Sequence, residues 1–180
     1  MNFPKPYADA VAKLRVPCGF VLVAAFLWFS QPSPVSLIAG LFVALLGLAL
    51  RGWAAGHLEK NSTLTGSGPY AWVRNPLYLG TLTAAMGFAL ASRRWELGLL
   101  FSLVFALIYL PVVELEEQHL RNLFPSFADY AARVPRLWPS VPAQKGSKQF
   151  RFSLYKHNRE YEALLGFLVG SALLAWKALR

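Results

Sequence analysis

The chain has 180 residues, 56% of them hydrophobic and 15% charged, with a formal net charge of +9. That apolar fraction lies above the range of soluble globular domains, and a single cysteine excludes a disulfide framework. The 18 Lys and Arg flank apolar blocks instead of sharing one soluble face, which argues against nucleic acid as the partner that the charge serves.

The first apolar block is Val16–Ser30. Lys5, Lys13 and Arg15 precede it, as in a secretory signal, but residues 30–36 hold no small-residue cleavage pattern, so a retained helix is the expectation. Cys18 reads as a small apolar residue. Gln31-Pro32-Ser33-Pro34 is a tight, uncharged turn into the second block, Val35–Leu50, and predicts an antiparallel hairpin of the first two helices. Pro76–Ser92, Leu97–Val113 and Ala163–Trp176 complete the series. A bilayer-spanning helix needs roughly 17–25 apolar residues, which the middle blocks reach with their flanks and the outer ones by borrowing neighbours. These blocks are apolar on every face, so they lack both the alternation of barrel strands and the polar stripe of a soluble bundle. The expected fold is all-α: a polytopic membrane protein with about five transmembrane helices.

Fourteen of the 18 basic residues fall on one side of that topology. They lie in the N-terminal arm (Lys5, Lys13, Arg15), the second connection (Arg51, Lys60, Arg74) and the fourth (Arg121, Arg133, Arg136, Lys145, Lys148, Arg151, Lys156, Arg159). Cytoplasmic loops carry such an excess, so the N-terminus and both long connections are expected inside, in the inner or plasma membrane if the source is bacterial. The basic loops also suit an anionic leaflet, making the lipid bilayer itself a partner.

Function in a helical scaffold tends to lie in its polar connections. The second runs from Arg51 to Asn75. Gly66, Gly68 and Pro69 break regular structure there and leave backbone groups free for a ligand. Pro76 suits the first turn of the third helix, Asn75 its N-cap, and Gly80 a close approach. The fourth connection continues the fourth helix through Glu114, Glu116, Glu117 and His119. Carboxylates at a helix C-terminus oppose its dipole and call for a compensating cation, either a ligand or Arg133 or Arg136 folding back. Glu116-x-x-His119 is half of a carboxylate-bridged metal motif whose second half is missing, so no metal is expected. His57 and His157 read as packing or interfacial residues. Helices three and four are joined by a short turn at Arg93–Glu96, so Gly68–Gly80 and Glu116–Glu117 should meet at one membrane face.

These residues resemble a known family. Gly68-Pro69-Tyr70-x-x-x-Arg74-Asn75-Pro76-x-Tyr78-x-Gly80 is similar to the G-P-Y-x-x-x-R-H-P-x-Y-x-G signature of isoprenylcysteine carboxyl methyltransferases. Glu116-Glu117-x-x-Leu120, Phe124, Tyr130 and Val134-Pro135 resemble their second block. Phospholipid methyltransferases, which share the architecture, match better at Asn75, where the carboxyl methyltransferases have His. Two further departures are Val112, at a position where those enzymes carry an Arg, and Pro125, where Gly is usual.

The chain reads as a single domain over 1–180, with a helical hairpin at 1–55, a basic linker and last transmembrane helix at 140–180, and between them a catalytic core at 56–139 marked by the resemblance. It implies S-adenosylmethionine as methyl donor, bound in a pocket open to the cytosol, and a lipophilic acceptor entering from the bilayer. Carried over by position, cofactor contacts would be Ser62, Thr63, Leu64, Thr65, Gly68, Pro69, Tyr70, Asn75, Pro76, Leu77, Tyr78 and Glu116. Arg74, Glu117 and Arg136 would serve the reaction. The acceptor is a carboxylate, which attacks without losing a proton and would be oriented by Arg74 or Arg136, or an amine, which needs a base such as Glu114 or Glu117. A nicotinamide-dependent membrane reductase of related scaffold and a non-catalytic membrane scaffold are the other readings.

Overall fold

The computed structural model describes residues 3–141 and 149–180. Lys145, Lys148 and most of the basic linker lie outside the described residues. The described residues are helical and turn-linked, with no strand among them. The helices are α1 (Lys5–Phe29), α2 (Pro34–Ala55), α3 (Pro76–Ser92), α4 (Trp95–Val104), α5 (Leu110–Leu123), α6 (Phe127–Arg133), α7 (Phe152–His157) and α8 (Tyr161–Ala178). A 3-10 turn at Gly68–Ala71 precedes α3, and a π-helical turn at Phe105–Tyr109 fuses α4 to α5.

Four described helices are long and apolar enough to cross a membrane: Pro6–Phe29, Pro34–Ala55, Trp95–Leu123 and Tyr161–Ala178. The shorter α3, also apolar, packs along α2 as the fifth hydrophobic rod. This is a multi-pass membrane protein.

Each boundary has a local cause. Ser33 caps α2 reciprocally with Ser36: Ser36 N donates to Ser33 Oγ at 3.2 Å and Ser33 N to Ser36 Oγ at 2.9 Å. Pro34 takes the first helical position. α3 stops at Arg93, which adopts the left-handed conformation with φ 55°. Pro111 cannot donate to the carbonyl of Leu107. The helix widens into the π turn just before it, and Tyr7 of α1 donates to that carbonyl at 2.6 Å.

Small residues weld α2 to α3. A Cβ built on Gly47 would stand 2.5 Å from the Gly80 carbonyl, and one on Gly87 2.6 Å from that of Gly40. Ala44, Ala84 and Ala91 complete the two facing stripes. Between membrane helices there is no hydrophobic drive toward association, so such close backbone approach supplies the attraction. This corrects the expected hairpin. α1 and α2 are joined by a tight turn, but α2 spends its small-residue face on α3. The bulkier α1 turns instead to α4, the π turn and α5, where Leu22 packs with Phe101 and Phe105.

α8 is fastened at both ends. At one, Arg51 grips Glu160 and Asn158 Nδ2 donates to the carbonyls of Ala55 and Leu58, both at 2.9 Å. At the other, Lys177 Nζ donates to the terminal carbonyls of α1, Leu27 at 2.8 Å and Trp28 at 3.1 Å. Those carbonyls have no intrahelical partner.

Candidate active site

The three glutamates of α5 divide between two tasks. Glu114 and Glu117, three residues apart, share a buried face; Glu116 is turned away from it and half exposed. Glu117 is the hub of a polar staple. Arg136 Nε and a terminal nitrogen donate to its Oε2 at 3.1 and 3.0 Å, Asn75 Nδ2 donates to its Oε1 at 2.8 Å, and Arg74 Nε lies 3.3 Å from the same oxygen. Arg136 also faces Glu114 at 3.7 Å. The compensating cation expected for these carboxylates is therefore Arg136, joined by Arg74. Asn75 precedes α3 as foreseen, yet its side chain makes no cap bond and goes to Glu117 instead.

α6 and the segment after it complete the staple. Arg74 N donates to the Pro135 carbonyl at 2.9 Å, Ser140 N to Trp72 at 2.9 Å, and the Tyr130 hydroxyl to the Tyr70 carbonyl at 2.8 Å. Burial pushes the Tyr130 phenol well above its ordinary range, so it stays a donor.

Beside the staple lies a cavity of about 650 Å³, walled by α1, the end of α2, α3, α5 and the start of α8. Its charged groups are Arg15, Arg51, Lys60, Glu116 and Glu160. The Tyr78 hydroxyl donates to Glu116 at 2.9 Å, and Arg15 lies 3.6 Å from the same carboxylate oxygen. Arg51 donates to both oxygens of buried Glu160, at 2.6 and 2.9 Å, and to Thr81 Oγ1 at 2.5 Å. Tyr70 is buried and its hydroxyl has no hydrogen-bond partner among the described residues. Burial raises its pKa strongly; Tyr130, Glu116 and Glu160 raise it further and Arg51 lowers it. The hydroxyl is thus a neutral donor in the field of three groups that line the cavity.

A second cavity of about 550 Å³ continues from the first into the apolar bundle, between α1, α3, α4 and α8. Gly19, Val23 and Tyr109 line both. The polarity gradient is the same on each wall: Arg15 gives way to Phe26 on α1, Thr81 to Phe88 on α3, and Glu160 to Val169 toward α8.

The expected site residues thus separate. Leu77, Tyr78 and Glu116 line the polar cavity; Tyr70 does not line it, though its hydroxyl feels the charges of Glu116, Glu160 and Arg51. Asn75, Arg74, Glu117 and Arg136 come together, but in the staple and not on the cavity wall. Pro76 opens α3 and is buried; Pro69 is buried in the 3-10 turn. Gly68, with φ 59°, presses against the His57 ring, which is buried as a packing residue. Ser62 and Thr63 bond to Glu59, Leu64 packs with Phe127 and Tyr130, and buried Thr65 reaches the His57 carbonyl at 3.5 Å. None of these last seven lines the cavity.

Sequence reasoning missed Arg15, Arg51, Lys60, Asn158 and Glu160 as site residues. Arg51 and Glu160 did carry a signal: each is a charge set directly against an apolar block, where ionisable groups are costly unless paired.

Residues 18–126 match the phospholipid methyltransferase family. The cobalt-zinc-cadmium resistance protein CzcN of Cupriavidus metallidurans is 30% identical over 86% of this chain and 74% of its own length. The nickel-cobalt-cadmium resistance protein NccN of Alcaligenes xylosoxydans xylosoxydans is 32% identical over 71% of this chain and 63% of its own. The protein-S-isoprenylcysteine O-methyltransferase of Schizosaccharomyces pombe is 27% identical over 77% of this chain and 61% of its own. No solved structure matches. The span matched holds α2 and α3, the Gly68–Gly80 signature and the glutamates of α5, so this chain belongs to the phospholipid methyltransferase family, which includes relatives of the isoprenylcysteine methyltransferases.

Proposed function

We propose that the protein transfers a methyl group from S-adenosylmethionine to an amphiphile drawn from the bilayer, at the cytosolic face. The observation that carries this reading is the paired cavity: a charged chamber joined through Gly19, Val23 and Tyr109 to an apolar one inside the bundle. A polar donor and a lipophilic acceptor need those two environments side by side. The basic residues around the chamber support the cytosolic assignment.

The residues suit the donor. Glu116 and Glu160 offer carboxylates to its ammonium, Tyr78 and Tyr109 aromatic faces to its sulfonium, and Lys60 a cation to its carboxylate. The buried, unpartnered Tyr70 hydroxyl is the kind of orphan that a ligand satisfies. When bound, S-adenosylmethionine would supply an activated methyl group. The chain's own part is alignment and exclusion of water: Arg51 holds Glu160 and the start of α8 against the chamber, and the staple fixes the start of α3.

The glutamates expected to serve as bases do not line the chamber, whose own carboxylates are Glu116 and Glu160. Glu114 and Glu117, the bases an amine would require, are paired with arginine in the staple. A carboxylate acceptor needs no base, and an amine acceptor would have to use Glu116, the half-exposed carboxylate of the chamber.

Calorimetric titration with S-adenosylhomocysteine tests the reading. Binding is expected, and Glu116→Ala should weaken it by about tenfold, the scale of one charge-assisted contact. Absence of binding at high micromolar ligand sinks the methyltransferase reading. Tyr70→Phe separates ligand from structure. Removing an unsatisfied buried hydroxyl should leave the thermal midpoint of the empty protein unchanged or higher, while S-adenosylhomocysteine binds more weakly. A midpoint that falls would assign the hydroxyl to folding.

A further inference from the structure

The residues that line both cavities stand on two facing elements. Gly19 and Val23, four residues apart, share one face of α1. Tyr109 lies opposite, in the π turn between α4 and α5. A Cβ built on Gly19 would meet Tyr109 Oη at 3.8 Å and, among the described residues, no other neighbour within 4 Å. That is ordinary van der Waals contact. At this level α1 and the turn are within one carbon of touching, and the missing side chain of Gly19 is what leaves space beside them.

The sequence builds this wall deliberately. Pro111 has no N–H for the Leu107 carbonyl. The ladder widens ahead of it, so that Leu110 N donates to the Phe105 carbonyl five residues back. Such π turns occur frequently at functional sites. The freed Leu107 carbonyl accepts from the Tyr7 hydroxyl at 2.6 Å, which ties α1 to the turn that carries Tyr109. The Tyr109 ring is itself braced. It stacks on Phe105, with centroids 5.7 Å apart and planes 7° apart, and meets Tyr78 edge-on at 6.4 Å. Phe105 is buried against Leu22 and Phe101.

We propose that Gly19 and Tyr109 form an aperture between the charged chamber and the apolar cavity, and that its cross-section admits only an unbranched segment next to the reacting atom. The inference rests on the methyltransferase reading and names the residues that set its selectivity. A group that reaches from one cavity into the other passes between α1 and the braced ring. A linear chain presents one carbon at a time. A branched one presents several around one centre, and must push Tyr109 off Phe105 or α1 off the turn. Close-packed interiors resist such shifts. A side chain longer than Cβ at Gly19 would grow into the aperture, since no packed neighbour stands in its way. Both are specificity-determining residues, and neither exchanges a proton.

The test is calorimetric titration of the full-length protein in detergent with three analogues of S-adenosylhomocysteine. In each a nitrogen replaces the sulfur and carries a methyl, a hexyl or a 3,3-dimethylbutyl group. The two larger groups are isomers, so they differ in shape and not in carbon count. Each buried methylene is worth up to about fourfold in affinity, and detergent competes for the chain, so hexyl should bind about tenfold tighter than methyl. The branched isomer should keep none of that advantage. Gly19→Leu should cut the hexyl-to-methyl ratio to about twofold or less, because the chain is refused its burial. A ratio taken within one variant cancels any change at the nucleoside end of the probe. Tyr109→Ala should bring the two isomers to within about twofold of each other, as the obstacle to the branch is gone. Tyr109→Phe, which removes only the oxygen nearest Gly19, should fall between it and the parent. The Tyr109 arm stands even if Gly19→Leu does not fold. An undiminished ratio in Gly19→Leu, equal binding of the isomers by the parent, or a linear preference that survives in Tyr109→Ala would each overturn the proposal. No binding of the methyl analogue sinks the methyltransferase reading and the inference with it. Binding of the methyl analogue with no gain from hexyl refutes the aperture alone.

Discussion

Gly47→Leu is expected to abolish recovery of folded, monodisperse protein from detergent. A Cβ at this position would sit 2.5 Å from the Gly80 carbonyl, closer than real Cβ contacts allow, and the neighbour is backbone of a second helix. No rotamer change relieves that clash; α2 and α3 must separate. Overpacking in a close-packed interior costs about 1–3 kcal/mol when side chains can shift, and the cost here should exceed that range because they cannot. Separation also carries Arg51 away from Thr81 and the Leu77 carbonyl, which it meets across the same interface, so the chamber is lost with the packing. Gly166→Ala is the control: a Cβ there meets nothing within 4 Å, and its thermal midpoint should match the parent. Size-exclusion profiles and thermal unfolding of both variants check the contrast. A monodisperse Gly47→Leu protein with an unshifted midpoint would show that the weld is dispensable.

Glu117→Ala is the second large effect. Its carboxylate takes three nitrogens, from Asn75 and Arg136, within 3.1 Å, and faces Arg74 beside them. Its removal leaves Arg74, with a side chain 13% exposed, as a charge without its partner. Breaking a buried pair in this way costs about 3–5 kcal/mol. Arg136→Ala should cost less, because Glu117 keeps Asn75 and Arg74 and because Arg136 is the more exposed partner. The order of thermal midpoints, parent above Arg136→Ala above Glu117→Ala, is the measurement. A reversed order would mean that Arg136, and not Glu117, is the hub.

Composition and motif carried the fold well. Apolar blocks announced the spanning helices because a bilayer tolerates few charges within a span, and that constraint writes itself directly into sequence. Helix pairing was less legible. The turn at Gln31–Pro34 suggested a hairpin, but partner choice depended on which faces carry Gly and Ala in register. The stripes at Gly40, Ala44 and Gly47, and at Gly80, Ala84 and Gly87, were present to be read. At the site, the motif brought the right segments together without saying which way neighbouring side chains point. Glu116 and Glu117 are adjacent in sequence, yet about 100° of helical rotation sends one to the chamber and the other to the staple. Arg15 was readable only as a topological charge, and Arg51 and Glu160 only as charges beside apolar blocks, because the contacts that give them a role span long stretches of chain.

The clasp between Arg51 and Glu160 joins residues 109 positions apart. During synthesis Arg51 emerges early and reaches the membrane at the end of α2, while Glu160 is not yet made. For that interval an arginine stands at the edge of the lipid with its eventual counter-ion still inside the ribosome. Only when α8 inserts is the charge neutralised, and the same event delivers Lys177 to the open carbonyls of α1. Insertion of the last helix is therefore the step that closes the charged chamber, since until then Arg51 has only Thr81 and the Leu77 carbonyl of α3 to meet.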